Sequence, residues 1–180
     1  MGEIRRDNSR ATEIIRQLRS FMRKAPALEM RNVFDLTAEV ATTVSFLLPE
    51  AKSRGIVLRS SLTETPLPVS GNSIQLEQVL SNLILNALDA MSDTGQSEKA
   101  ATVETAMNGK FAEVSVTDTG PGVPSDALEK IFDPFYSMKE HGMGMGLSIV
   151  RTILEAHGGT IEVAKSCHGG ATFRVTLPLA

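Results

Sequence analysis

DTGPGVPSDALEKIFDPFYSMKEHGMGMGL, residues 118–147, is the stretch on which the fold turns. Phe111 to Asp118 alternates apolar and polar residues and delivers one carboxylate, Asp118, to the end of a strand. Thr119-Gly120-Pro121-Gly122 makes a turn, and Phe132, Phe135 and Tyr136 form an aromatic block. Gly142, Gly144 and Gly146 then alternate before a helical pattern from Leu147 to Ala156 with Ile149, Val150, Ile153 and Leu154, closed by His157-Gly158-Gly159. Upstream, the stretch from Ile74 to Met91 carries apolar residues around most of its circumference, which predicts a helix buried on more than one side. Asn82 and Asn86 lie four apart, so they share a face of that helix. Asparagine is a poor helix former, and a buried amide needs partners. The two stretches together predict two walls of a nucleotide pocket.

The same reading extends outward. Residues 31–36 predict a short strand, Leu36 to Ala51 a helix with Val40, Val44, Leu47 and Leu48 on one side, and Ile56 to Leu62 a second strand. Pro66 and Pro68 mark a loop, and Ser73 is placed to cap the long helix. Ala101 to Met107 and Phe111 to Asp118 form a hairpin around Asn108-Gly109, and Ser125 to Lys130 predicts a short helix. Thr160 to Ala164 and Ala171 to Leu177 form a final hairpin. Residues 3–24 predict one amphipathic helix, with Ala11, Ile14, Ile15, Leu18, Phe21 and Met22 at three- and four-residue spacings and Pro26 as its stop. The order of elements predicts an α/β two-layer sandwich with a mixed, mostly antiparallel sheet and one helical layer.

Composition limits the alternatives. The 180 residues are 42% hydrophobic and lack tryptophan, so the core must be aliphatic. A net charge of −3 with both signs interspersed argues against a nucleic-acid partner, which would call for a basic face. The single cysteine, Cys167, excludes an internal disulfide and suits a reducing, cytoplasmic setting. No apolar run is long enough to span a bilayer, although a longer protein could carry an anchor elsewhere.

Taken singly, each motif has a plain structural alternative. Asp118 can accept a hydrogen bond from an exocyclic amine such as that of adenine, and the glycines beside it let backbone approach a flat ring, but Asp and Gly are also ordinary turn residues. Glycines before a helix present N–H groups and a positive dipole end to phosphates, or simply make a mobile loop. Neither a G-x-G-x-x-G fingerprint after a strand nor a G-x-x-x-x-G-K-[ST] loop is present. The side-chain carbonyl of Asn86 suits Mg²⁺, whereas His141, His157 and His168 lack zinc spacing.

In combination the motifs are specific. Asn82-x-x-x-Asn86-Ala87, Asp118-Thr119-Gly120-Pro121-Gly122, Phe132-Asp133-Pro134-Phe135, Gly142-x-Gly144-x-Gly146-Leu147 and Gly169-Gly170-Ala171-Thr172-Phe173 follow one another in the order that resembles the catalytic, ATP-binding domain of bacterial sensor histidine kinases. These belong to the superfamily shared with gyrase, the ninety-kilodalton chaperone and MutL. The likeness covers residues 30–180 and is greatest to PAS-type sensor kinases of the nitrogen-fixation and dicarboxylate group. Residues 1–25 resemble the second helix of the dimerisation and phosphoacceptor hairpin.

The resemblance implies ATP and Mg²⁺ as cofactors. It implies Asp118 on the adenine amine, Gly120 and Gly122 shaping that wall, and Thr172 near the ring. It implies Asn86 on Mg²⁺, Asn82 on phosphate or metal-bound water in a catalytic role, and Lys139 reaching a phosphate from the lid. Gly142, Gly144 and Gly146 would let the lid close, and Phe135, Leu147 and Asp89 would complete the lining. The implied partners are a phosphoacceptor histidine helix, a response-regulator receiver domain, and a second copy in the full-length protein.

Three departures stand out. The first hairpin helix and its histidine are missing from this sequence, so the chain is expected not to phosphorylate itself on that site. Many relatives carry a basic residue where Asp89 stands, and Ser137-Met138 replaces the usual pair of threonines before Lys139. Two other functions compete: a hydrolase of the gyrase or chaperone type, disfavoured because Asn82 stands where those relatives carry a glutamate base, and a nucleotide-binding regulatory module without transferase activity.

Overall fold

The computed structural model describes residues 31–92, 94–95, 98–138, 144–166 and 169–180. Within it Arg31–Ala180 forms one compact unit. The helix expected over residues 3–24, and Lys139, His141, Gly142, Cys167 and His168, lie outside the described residues.

Among the described residues, three α-helices cover one face of a five-stranded sheet. Strands β2 (Val57–Ser61), β4 (Ala100–Asn108), β5 (Phe111–Asp118), β6 (Thr160–Lys165) and β7 (Ala171–Pro178) are arranged in the order β2-β4-β5-β7-β6. The β2–β4 pair is parallel; β4–β5, β5–β7 and β6–β7 are antiparallel. The expected two-layer α/β sandwich is therefore what the chain forms. Alternation decides which face is covered: Ala112, Val114, Val116 and Asp118 of β5 are buried while the residues between them are not.

Helices α1 (Leu36–Ser53), α2 (Ser73–Ser92) and α3 (Gly146–Ala156) form the second layer. The centre of this layer is α2, packed against both other helices and against β5. Its residues Leu76, Val79, Leu80, Leu83, Ile84, Ala87, Leu88 and Met91 are buried, as a helix apolar on several sides requires. Burying each leucine side chain contributes about 1.5–3 kcal/mol before chain entropy is subtracted, so α2 is the main apolar anchor of the unit. On α1 the stripe Leu36, Val40, Val44 and Leu47 is buried, but Leu48, expected with it, is 44% exposed on the helix flank.

Local signals misplaced four details. Pro68–Gly71, expected as loop, is a strand, β3, paired antiparallel with β1 (Asn32–Asp35) in a separate two-stranded sheet. Proline is tolerated there because it opens the strand. The cap of α2 is Asn72 rather than Ser73: Asn72 Oδ1 accepts from the Gln75 N–H at 3.2 Å. The β4–β5 turn lies one residue later than expected. Asn108 pairs with Phe111, leaving Gly109 (φ 61°) and Lys110 as the two-residue loop, which suits a glycine-first hairpin turn. Residues 125–129 form successive turns leading into a 3-10 segment, Lys130–Phe132, instead of an α-helix.

Two tethers align the helices that matter for the site. His157, 6% exposed at the end of α3, lies 2.7 Å through Nδ1 from Ile153 O, and its Nε2 accepts from the Asn72 N–H at 3.1 Å. This ring joins the end of α3 to the start of α2. Beyond it, Gly158 (φ 70°) and Gly159 return their N–H groups to Glu155 O and Leu154 O, the double bond pattern of a glycine-terminated helix.

Candidate functional site

Asp118 stands at the inner end of β5, 2% exposed. Its Oδ1 accepts from the Gly120 N–H at 2.8 Å and from the Ala171 N–H at 3.3 Å. Both bonds go to one oxygen, which leaves Oδ2 to accept from a ligand. Burial pushes the carboxyl pKa up, and the two backbone bonds offset part of that rise. The turn that follows is fastened by Thr119. Its N–H donates to Ala100 O at 3.1 Å, and its hydroxyl accepts from the Ala100 N–H at 3.1 Å.

Glycine is required at two points around this carboxylate because its surroundings are too close for a side chain. A Cβ on Gly120 would lie 2.9 Å from Asp118 Oδ1 and 3.3 Å from Ala90 of α2, so the turn sits directly against that helix. A Cβ on Gly170 would lie 2.0 Å from Asp118 O. Gly122, with φ 77°, faces Gly169 O and Gly170 O.

On α2, Asn82, Asn86 and Asp89 follow at spacings that keep them on one face, with Ala90 at its border. Asn82 Nδ2 is buried with no hydrogen-bond partner among the described residues. Such an unsatisfied amide costs about 1–3 kcal/mol, which a ligand oxygen would recover. Helix α3 begins beside this face: a Cβ on Gly146 would be 3.9 Å from Asn86 Nδ2. Met145, the residue before it, gives the first N–H groups of α3 no side-chain cap. Leu147 is the second residue of this turn.

Gly144 (φ 65°) and Phe135 (φ 67°) form the base of the 135–144 loop, closed by the Phe135 N–H on Gly144 O at 3.0 Å. Positive φ at a non-glycine residue costs about 1–2 kcal/mol. The Phe135 ring carries that conformation while 73% exposed. Lys139 and Gly142 of the same loop fall outside the described residues.

Not every candidate converges on the site. Thr172 pairs in register with Thr117, their hydroxyls 3.0 Å apart, on the sheet face opposite to Asp118. Its expected place near a base is therefore corrected: β-strand alternation points Thr172 away, and it is Ala171 that abuts Asp118. Asp89 keeps to the ligand face, but its Oδ1 accepts from Arg54 Nη1 at 2.6 Å. Arg54 also holds Glu50 at 2.7 Å. Sequence patterns did not single out Arg54, since it caps α1 and meets Asp89 only through tertiary packing. Among the described residues no cluster of three His, Cys, Asp or Glu could hold a metal ion. A metal here would take few protein ligands, as suits Mg²⁺ shared with phosphates.

Residues 71–180 match the family described as histidine kinase-, DNA gyrase B-, and HSP90-like ATPase. The chain is 39% identical over 171 residues to the sensor protein FixL of Bradyrhizobium diazoefficiens, covering 95% of this chain and 33% of FixL. The catalytic domain of histidine kinase ThkA superposes with a TM-score of 0.74 at 28% identity, covering 83% of this chain and 96% of that one. Full-length ShkA, solved in complex with AMPPNP, gives a TM-score of 0.81 at 26% identity over 99% of this chain and 38% of its own. The chain thus spans 33% to 38% of the length of these two proteins. With the five motifs in order and the fold matched, the chain belongs to the family of histidine kinase-, gyrase B- and HSP90-like ATPases.

Proposed function

We propose that this chain is the ATP-binding catalytic part of a two-component sensor histidine kinase, which moves the γ-phosphoryl group of ATP to a histidine on a hairpin helix. The observation that carries the reading is the orphaned Asn82 amide on the same helix face as Asn86, next to the uncapped start of α3. Asp118, at the end of β5, would select adenine through Oδ2, with Gly120 and Gly122 shaping that wall. Asn86 would hold Mg²⁺, which when bound supplies charge neutralisation between the phosphates. The Asn82 amide would donate to a phosphate oxygen or to metal-bound water, and the first N–H groups of α3 would receive the phosphates. Lys139, Gly142, Gly144 and Gly146 would let the lid reach over them. Phe135 and Leu147 would line the lid side, and Asp89, held by Arg54, the outer edge.

Such an arrangement works by positioning and charge rather than by proton abstraction. Asn82 has no basic atom with which to activate water, which favours transfer to a presented histidine over hydrolysis. Residues 1–25 would then be part of the dimerisation hairpin, and a response-regulator receiver domain the downstream acceptor, in a homodimeric full-length protein.

The test is calorimetric titration of the chain with ADP and with AMPPNP, with and without Mg²⁺, followed by addition of a hairpin carrying its histidine. Micromolar binding and a phosphohistidine on the added hairpin are expected. Asn86→Ala should abolish most of the Mg²⁺ dependence while leaving metal-free binding near its original value. Equal losses with and without Mg²⁺ would remove Asn86 from the metal. Nucleotide binding without transfer to the hairpin would favour a regulatory module.

A further inference from the structure

Strand β5 ends beside the site in an unusual way, and Thr119 is the cause. Asp118 faces Ala101 in the last register pair of β4 and β5. The next pair, Thr119 with Ala100, would exchange two main-chain bonds in a regular antiparallel ladder. One of them is present: the Thr119 N–H donates to Ala100 O at 3.1 Å. The return bond runs from the Ala100 N–H to the Thr119 hydroxyl instead, also at 3.1 Å. The side chain thus stands in for its own carbonyl. Ala100 keeps an acceptor for its N–H, and the backbone is free to turn at Gly120, whose N–H returns to Asp118 Oδ1 at 2.8 Å.

The hydroxyl proton points to a different element. Met91 Sδ, in the last turn of α2, and Glu98 O each lie 3.3 Å from Thr119 Oγ1. Met91 is fully buried, so the core fixes that end of the contact. One residue on, the turn meets the same helix: a Cβ on Gly120 would lie 3.3 Å from both Ala90 Cβ and Ala90 O. Thr119 therefore ties the turn after Asp118 to β4 and to α2, the helix that carries Asn82 and Asn86. A hydroxyl can hold both because it accepts from one partner while donating to another. Valine has nearly the same shape and can do neither.

We propose, resting on the ATP reading of the site, that Thr119 is a positioning residue for base recognition: its hydroxyl sets the aim of the Asp118 carboxylate and holds the adenine wall against α2. Without the hydroxyl the Ala100 N–H loses its acceptor. The β4–β5 ladder then frays at Asp118 itself, the residue whose carboxylate must meet an exocyclic amine. A hydrogen bond weakens steeply with angle as well as distance, so a small change of aim costs discrimination between bases. The groups read as meeting the phosphates lie on α2 and α3 and keep their places. The loss therefore falls on the base and not on the phosphates.

The experiment compares Thr119→Val, Thr119→Ala and Thr119→Ser by calorimetric titration with AMPPNP, ADP and GMPPNP, with urea unfolding of each. The valine and alanine variants should bind AMPPNP and ADP about tenfold more weakly, by one shared factor, while GMPPNP stays within about twofold. The serine variant should keep its preference for adenine within about twofold. A residue needed only for folding would lower all three nucleotides alike and leave the preference intact. That result in either folded variant, or an equal loss in the serine variant, would overturn the proposal. So would failure of both valine and alanine variants to fold, since the hydroxyl would then serve the fold as a whole. Hydrogen exchange at Gly120 and Ala171, whose N–H groups bond Asp118 Oδ1, reads the aim of the carboxylate without nucleotide. It should quicken by about tenfold or more in the valine and alanine variants and stay unchanged in serine; unchanged exchange in all three would refute the positioning role. If the unsubstituted chain binds no nucleotide, or adenine and guanine nucleotides alike, the ATP reading and base recognition fall together. The exchange comparison then decides by itself whether Thr119 positions Asp118.

Discussion

Asp118→Asn separates the carboxylate's two possible duties. In the ligand-free protein the carboxyl is buried at a cost, as its raised pKa indicates, and it accepts two backbone N–H bonds through Oδ1. The amide of asparagine keeps a carbonyl oxygen for Gly120 and Ala171, and removes the buried charge. Thermal stability at neutral pH is therefore expected to stay the same or rise. An exocyclic amine meeting a carboxylate makes a hydrogen bond worth about 1.5–3 kcal/mol, so its loss predicts about ten- to hundredfold weaker binding of AMPPNP. The substituted NH₂ would also face the adenine amine donor to donor, while it could donate to the O6 of guanine, so selectivity for adenine over guanine nucleotides should collapse. The pH dependence follows from the sign of the shift. In the unfolded chain the group titrates near its usual value of about 3.9. Between that value and the raised folded value the native state holds a proton that the unfolded state has lost. Stability from this group is complete below the unfolded pKa, declines as pH rises through the window, and is flat above it. Asp118→Asn should remove that component of the slope. Calorimetry with adenine and guanine nucleotides, and urea unfolding across the acidic range, read all three effects. Binding within threefold of the original, or a large loss of stability with binding intact once folded, would show that Asp118 is a structural clamp and not the adenine acceptor.

Other perturbations address the frame of the site. Gly170→Ala places a methyl group 2.0 Å from Asp118 O, where neither backbone can yield. A loss of about 1–3 kcal/mol or more in urea unfolding is expected, and an unchanged midpoint would refute the close approach. His157→Ala cuts the link between Ile153 and Asn72 and leaves a cavity. It should destabilise the unit by about 2–4 kcal/mol, and hydrogen exchange should show the loss first at the start of α2. Phe135→Asn relieves the cost of positive φ at that residue. The unit should gain up to about 1 kcal/mol of stability. A fall in AMPPNP affinity in the same variant would identify the exposed ring as a ligand contact.

The strength of the sequence lay in features set within a few residues. Periodicity alone placed α2 and its apolar sides, because side-chain burial must follow the 3.6-residue repeat of the helix that carries it. It also placed both hairpins, the first with its turn one residue early, the glycine stop after α3 and the acidic end of β5, each determined by local dihedral preference or alternation. Tertiary structure decided what those features meet. That Pro68–Gly71 is a strand depends on β1, which lies on the far side of α1 in the chain and has no local trace in the proline-rich run. That Ala171 rather than Thr172 faces Asp118 depends on β5–β7 register, since a slip of one residue reverses every side chain. Arg54 reaches Asp89 only because α1 and α2 pack together, and Asn82 is orphaned only because its neighbours enclose it. Local signals fix conformation through sterics over a few bonds. Partners as distant in the chain as Asp118 and Ala171 are brought together by core packing, which no short window of sequence contains.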